Sequence, residues 1–192
     1  MFNIRELAEA FEMNRISKSP AIFDIEKLTY FNAEYIKAME PAAFAKVAEP
    51  WIRKAVKNEK YDAALIAAIL QQRTEKLTDI PEKLDFFDEL PEYETELFVH
   101  KKSKCDEAIA LDMLTKMRPR LAAITDWTED AIRECLIGAA EEWECKNALV
   151  MWPVRIAVAG KAVTPGGAVE ICHILGKDES LRRIDLAIDK LK

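Results

Sequence analysis

Apolar residues recur three and four positions apart along this chain, and no stretch alternates apolar and polar residues long enough to build a sheet. The expected fold class is therefore all-α. Asp24 stands where a side-chain oxygen caps a helix over Ile25, Leu28, Tyr35 and Ile36. Pro41 suits the first turn of the next helix, over Phe44, Val47 and Ile52. Both helices are expected to be short and to end at charged, Pro-containing joints. "YDAALIAAILQQRTEKL" predicts an apolar helix through Ala64, Leu65, Ala68 and Ile69, and Pro81 opens a brief helix toward Phe86 and Phe87.

Periodicity fades over 88–104, "DELPEYETELFVHKKSK", which reads as the main internal connection, packed down by its aromatic and aliphatic residues. Beyond it, Ser103 is the expected cap of a helix over Ile109, Leu111, Leu114 and Met117. Asp126 and Glu129 have the spacing of a capping box before Ile132, Leu136 and Ala140, with Cys135, Trp143 and Cys145 assigned to the core. A helix across "NALVMWPVRIAVAG" should stop at Gly160. "TPGG" is a turn, Gly176 another stop, and "SLRRIDLAIDKL" a last amphipathic helix.

Length and composition narrow the function classes. A chain of 192 residues, half of them apolar, can bury a core without disulfides or metals. Cysteines at 105, 135, 145 and 172 have neither zinc-ribbon nor redox spacing, so reduced thiols are expected. No presequence and no bilayer-spanning apolar run is legible, so a cytoplasmic protein without membrane partners is expected. A net charge of -6 argues against a general nucleic-acid binder, DNA included, and any such site must be local. Local cationic groups exist: Arg53 with Lys54 and Lys57, Arg73 with Lys76, His100-Lys101-Lys102 with Lys104, and Arg155 with Lys161. Most such groups are solvated helix faces.

No catalytic constellation emerges from the residues. His100 and His173 lack the spacing of a nucleophile site, and adjacent Cys172 and His173 on a helix point about 100° apart. "VTPGGAVE" lacks the Lys-Ser/Thr ending of a phosphate-cradling loop, and no metal-ligand spacing is present. What remains is arginines beside turns, Arg73 at a helix end and Arg155 before Gly160 and Thr164-Pro165-Gly166-Gly167. Guanidinium forks and exposed turn backbone suit the reading of unstacked bases. Arginines tying helix ends together explain the same pattern equally well.

A resemblance then narrows the reading. "RISKSPAIFDIEKLTYFNAEYI", "QQRTEKLTDIPEKLDFF", "RPRLAAITDWTED" and "MWPVRIAVAGKAVTPGGAVEICHILGKDESLRRI" together resemble the C-terminal half of bacterial glutamyl-tRNA synthetases, in order and over nearly the whole chain. The motif spanning Phe23 to Tyr35 and that spanning Pro153 to Arg183 carry it. The resemblance implies a tRNA-recognition portion of a class I ligase, with tRNA(Glu) as partner and a monomeric state. The family's ATP- and Mg-using Rossmann half is absent here, so the chain itself is expected to be non-catalytic, with no cofactor and no metal. Residues 1–38 would end the stem-contact region, with 39–88 and 89–192 as two helical anticodon-binding subdomains.

By the same resemblance, Lys27, Tyr30 and Asn32 form the stem-contact group, Tyr30 standing where the family usually has Trp. Arg73 matches the arginine that meets the third anticodon base. Cytosine there offers O2 and N3 acceptors, whereas guanine presents N1-H and N2-H donors to the same fork. Arg155 matches the arginine near the first base, with Thr164, Pro165 and Gly167 shaping the pocket, although a family member can carry Leu at Gly167. Trp152 is either a stacking platform or core filler. Ile16-Ser17-Lys18-Ser19 imitates the ATP-closing loop of class I synthetases, but no Rossmann sheet precedes it, and it resembles the connection after that loop. The alternative is a free-standing helical adaptor that binds protein or tRNA without aminoacylation.

Overall fold

The computed structural model describes residues 4–15 and 22–192, and Ile16-Ser17-Lys18-Ser19 lies outside the described residues. Among those described there is no strand. The chain forms helices α1 (Ile4–Ala10), α2 (Ile25–Ala38), α3 (Pro41–Ala55), α4 (Ala63–Leu70), α5 (Ile80–Leu84), α6 (Glu107–Ala123), α7 (Glu129–Glu142), α8 (Asn147–Ala159), α9 (Ala168–Leu175) and α10 (Lys177–Leu191). The all-α expectation holds, with one isolated antiparallel bridge, His100 to Cys105.

Local signals explain most boundaries. Asp24 Oδ1 accepts from the Lys27 N–H at 3.0 Å and starts α2, while Pro41 sits in the first turn of α3. Helix α3 does not end at its proline but runs through exposed Pro50, where the freed Lys46 carbonyl lies on an exposed residue that water can reach. Two expected caps are corrected. Asp106, not Ser103, caps α6 by accepting from the Ile109 N–H at 2.8 Å. Thr128, not Asp126, caps α7 by accepting from the Ala131 N–H at 3.2 Å. Gly160, at φ 64°, closes α8 in the left-handed conformation; a Cβ there would lie 2.9 Å from the Tyr93 ring.

Helix phase is corrected at two places. In α4 the buried residues are Ala63, Ile66, Ala67 and Leu70, and Leu65 is among the exposed ones. In α3, Ala48 is buried and Val47 exposed. The segment 88–104 packs down as expected: a single 3-10 turn, Thr95–Phe98, buries Phe98, and Tyr93 is nearly buried beside it.

Helix α3 packs on α4 and α5, α10 on α6 and α8, and α7 and α9 on α8, while α4 touches α9. One hydrophobic cluster runs unbroken from Ile36 to Ala187, through Phe44, Phe86, Leu114, Ile156 and Ile184. At its centre lies a charge. Arg183 of α10 is fully buried and donates to the carbonyls of Phe86 and Val158, each at 2.7 Å, and of Phe87 at 2.9 Å. Its Nε pairs with Glu179 at 2.6 Å. Burying the ion is tolerable because each face of the fork meets an acceptor. The same bonds clamp α10, α8 and the turn after α5 to one another.

Candidate nucleic-acid interface

Arg73 ends the 3-10 turn Gln71–Arg73 that continues α4. Its Nη1 donates to the Thr164 carbonyl at 3.0 Å, and its own carbonyl accepts from Lys83 Nζ at 2.5 Å. Arg155, on the last turns of α8, donates from Nη2 to the Ala162 carbonyl at 2.9 Å. Two arginines distant in sequence therefore hold one turn. The turn is brought there by packing: a Cβ on Gly166 would lie 3.3 Å from Ile69 Cδ1 of α4, so backbone meets side chain with no room between. Within it the Thr164 hydroxyl donates to the Gly166 carbonyl at 2.7 Å, and Pro165 is buried. The Gly167 N–H donates to Glu170 Oε2 at 2.8 Å, which starts α9.

The two guanidinium groups lie close enough for the Arg73 charge to act on Arg155. Among the described residues neither Arg73 nor Arg155 has a carboxylate within ion-pair distance, although most arginines of the fold are paired. Burial first, and the nearby Arg73 charge second, pull the Arg155 pKa below its ordinary value. Two like charges held close, one of them half-buried, favour a ligand that brings acceptors to both.

Trp152 lies one turn before Arg155, whose guanidinium carbon is 4.7 Å from the indole centroid. The His100 ring stacks on the same indole at 4.0 Å and 15°. Trp152 Nε1 donates to the Phe98 carbonyl at 3.1 Å. The indole is thus the middle of a stacked array, with Arg155 and His100 as its partners.

A groove of about 370 Å³ separates α2 from residues 72–75, lined by Thr29, Tyr30, Ala33, Gln72, Arg73 and Glu75 among others. Tyr30 is exposed in it and packs toward Phe31, 5.8 Å between ring centroids. Asn32 donates from its side chain to the Glu75 carbonyl, tying α2 to the segment after Arg73. Lys27 is exposed, its Nζ 6.0 Å from the Phe31 ring centroid. Tyr30 and Arg73 therefore share one groove, while Lys27 stands outside its lining.

A family model described as "Anticodon binding domain" matches residues 43–188. The chain belongs to that family. Curated relatives of this anticodon-binding chain include the glutamate–tRNA ligases of Clostridium kluyveri, 45% identical over 192 residues, and of Lachnoclostridium phytofermentans, 46% identical over 191. Each match takes in 100% of this chain and 39% of the relative, in its C-terminal part. The crystal structure of a glutamate tRNA ligase from Elizabethkingia meningosepticum superposes with a TM-score of 0.78 at 25% identity, covering 98% of this chain and 37% of that one. The anticodon-binding chain thus spans well under half the length of the relatives it matches.

Several residues of this anticodon-binding chain play parts that sequence reasoning gave to other positions or left unassigned. Gln71 is buried and donates to the carbonyls of Ile36 and Met39 at 3.1 and 2.7 Å, fixing the end of α2 against the turn that bears Arg73. Its place two residues before Arg73 was the available signal. Ser103 bonds His100 Nδ1 at 2.7 Å, a pairing that no spacing rule announces. Among the described residues no group of three His, Cys, Asp or Glu is arranged to hold a metal ion. Burial pushes the Cys105 thiol up to about 11 and that of Cys172 up to about 12, so neither is poised as a nucleophile. No described helix is long and apolar enough to cross a membrane.

Proposed function

We propose that this chain reads the anticodon of tRNA(Glu) for a glutamate–tRNA ligase whose ATP- and Mg-dependent chemistry resides in another part of the parent protein. The observation that carries the reading is the convergence of Arg73 and Arg155 on the 162–164 turn without a carboxylate partner. Arg73 takes the third anticodon base, where cytosine presents acceptors to the fork and guanine presents donors. Arg155 takes the first base, in a pocket shaped by Thr164, Pro165 and Gly167. Trp152, already engaged by His100 and Arg155, orders the guanidinium, and a base stacks on the array rather than on a bare indole.

Helix α2 serves the tRNA stem through Lys27 and Tyr30, with Asn32 holding the helix to the segment that follows Arg73. Residues 1–38 then end the stem-contact region, and 39–88 and 89–192 act as successive anticodon-binding subdomains over a shared core. The protein works as a monomer in the cytoplasm.

The test compares binding of the chain to a tRNA(Glu) transcript and to one whose third anticodon base is changed from cytosine to guanine. Wild type should prefer the first by about 5- to 150-fold, on the order of 1 to 3 kcal/mol. Arg73→Gln should erase most of that preference while changing overall affinity less. Equal binding of both transcripts by the wild type would refute the proposal.

A further inference from the structure

The segment 100–105 joins the 3-10 turn Thr95–Phe98 to α6 and exposes Lys101, Lys102 and Lys104. Among the described residues none of the three is in an ion pair, and they fall within four positions of one another, closer together than the other unpaired lysines of the fold. In a chain of net charge -6, three unpaired ammonium groups within four residues form a local concentration of positive charge.

The segment is shaped rather than slack. His100 N–H donates to the Cys105 carbonyl at 2.9 Å and Cys105 N–H to the His100 carbonyl at 3.2 Å. Cys105 and Ser103 are buried, with the Ser103 hydroxyl 2.7 Å from His100 Nδ1. Lys104 is held at φ 57°, the left-handed region, inside this closed turn. The loop therefore turns its small side chains inward and its lysines outward. Its position is set by the His100 ring stacked 4.0 Å from Trp152, the same indole that carries Arg155.

We infer that the loop 100–105 is a phosphate-gripping arm of the nucleic-acid interface, keyed to the base-reading arginines by the His100–Trp152 stack. This rests on the anticodon-reading function proposed above. Its ligand is the RNA backbone next to the bases that Arg73 and Arg155 read. Ammonium groups bind phosphate as point charges and carry no base preference, so the arm adds affinity while the arginines supply discrimination. A backbone phosphate suits three unpaired cations continuous with the base-reading array. An acidic protein partner would leave tRNA binding indifferent to the lysines.

The experiment measures affinity of the full chain for the tRNA(Glu) transcript and its third-base guanine variant across a fourfold range of monovalent salt. The comparison is between wild type and a Lys101→Ala, Lys102→Ala, Lys104→Ala triple variant, with far-UV circular dichroism to confirm folding. Each phosphate contact contributes roughly 0.7 to 0.9 to the slope of log affinity against log salt. The triple variant should bind both transcripts more weakly by the same factor and lose about 2 to 3 from that slope. Across the fourfold range, wild type should then lose about 16- to 64-fold more affinity than the variant. His100→Ala should lower affinity with the lysines intact, and His100→Phe, which keeps the stack, should restore it.

An unchanged slope and affinity in the triple variant overturns the arm, and points to an acidic protein as the partner of these lysines. Failure of the anticodon reading looks different, because wild type then fails to distinguish the two transcripts whatever the lysines do.

Discussion

Arg73 and Arg155 donate to the carbonyls of Thr164 and Ala162, so two guanidinium groups from different helices share one short turn. The arrangement leaves both charges without a carboxylate and lowers the pKa of the more buried one. Arg155→Lys keeps the charge but removes the planar fork that bonds Ala162 and lies over Trp152. Affinity for tRNA(Glu), followed by fluorescence anisotropy, should fall about 10-fold, roughly 1.4 kcal/mol. The melting temperature should hardly move, since the side chain contributes at a half-exposed site; a large drop would mark Arg155 as a structural tie instead.

Arg183 shows the opposite use of the same side chain. Arg183→Met would fill the space yet leave the carbonyls of Phe86, Phe87 and Val158 buried without that donor. Thermal denaturation should show a loss of about 3 to 5 kcal/mol, or about 8 to 15 °C for a chain of this size. A loss under about 1 kcal/mol would mean that the clamp is dispensable.

Acid stability should report on Glu179. Hydrogen bonds from Arg182 first, and then from Arg183, hold its carboxyl at about 2 against an ordinary value of 4.5, outweighing the burial that would raise it. Because the folded pKa is depressed, the unfolded chain binds more protons between these values. The stabilisation is present above pH 4.5 and disappears as pH falls toward 2. Discounted for partial solvent exposure, it amounts to about 1 kcal/mol. Glu179→Gln should be less stable at neutral pH, with a flatter fall in urea-unfolding free energy across that acid window; parallel pH curves would disprove the assignment.

Gln71 joins the end of α2 to the turn that bears Arg73. Gln71→Leu removes both bonds to the end of α2 and takes the side-chain donor from the Met39 carbonyl, while the Ile36 carbonyl keeps the Met39 N–H, at a cost of about 1 to 3 kcal/mol. Hydrogen exchange should accelerate in the last turn of α2 while amides of α8 keep their protection. Uniform acceleration would indicate global destabilisation and no local link.

The contrast between the three arginines explains how far sequence reading reaches. Arg155 and Arg183 both stand in helices beside apolar residues, and nothing in that local pattern separates Arg183, fully buried, from Arg155, only partly buried. The carboxylate that balances Arg183 is Glu179 on the same helix, but the carbonyls that accept from the rest of its fork come from segments far away in the chain. The phase of α4 was likewise out of reach, because "AALIAAIL" has no polar residue to mark its solvent side. Caps were misplaced where two candidates lay close together, Asp126 against Thr128 and Ser103 against Asp106. Which side chain reaches the free N–H depends on one dihedral angle.

Local chemistry was legible from the chain alone: helical class, the stops at Gly160 and Gly176, the cap at Asp24, and the motifs that tie this chain to anticodon-binding relatives. These depend on residues within a turn or two of one another, where backbone sterics and hydrogen-bond reach dominate. The tertiary structure decided what those motifs do together. It set Arg73 and Arg155 on one turn, stacked His100 on Trp152, and buried Arg183 among three carbonyls. Such contacts arise only once helices distant in sequence are packed around a single core, where the surroundings of a charge settle whether it is buried against carbonyls and a carboxylate or left without one.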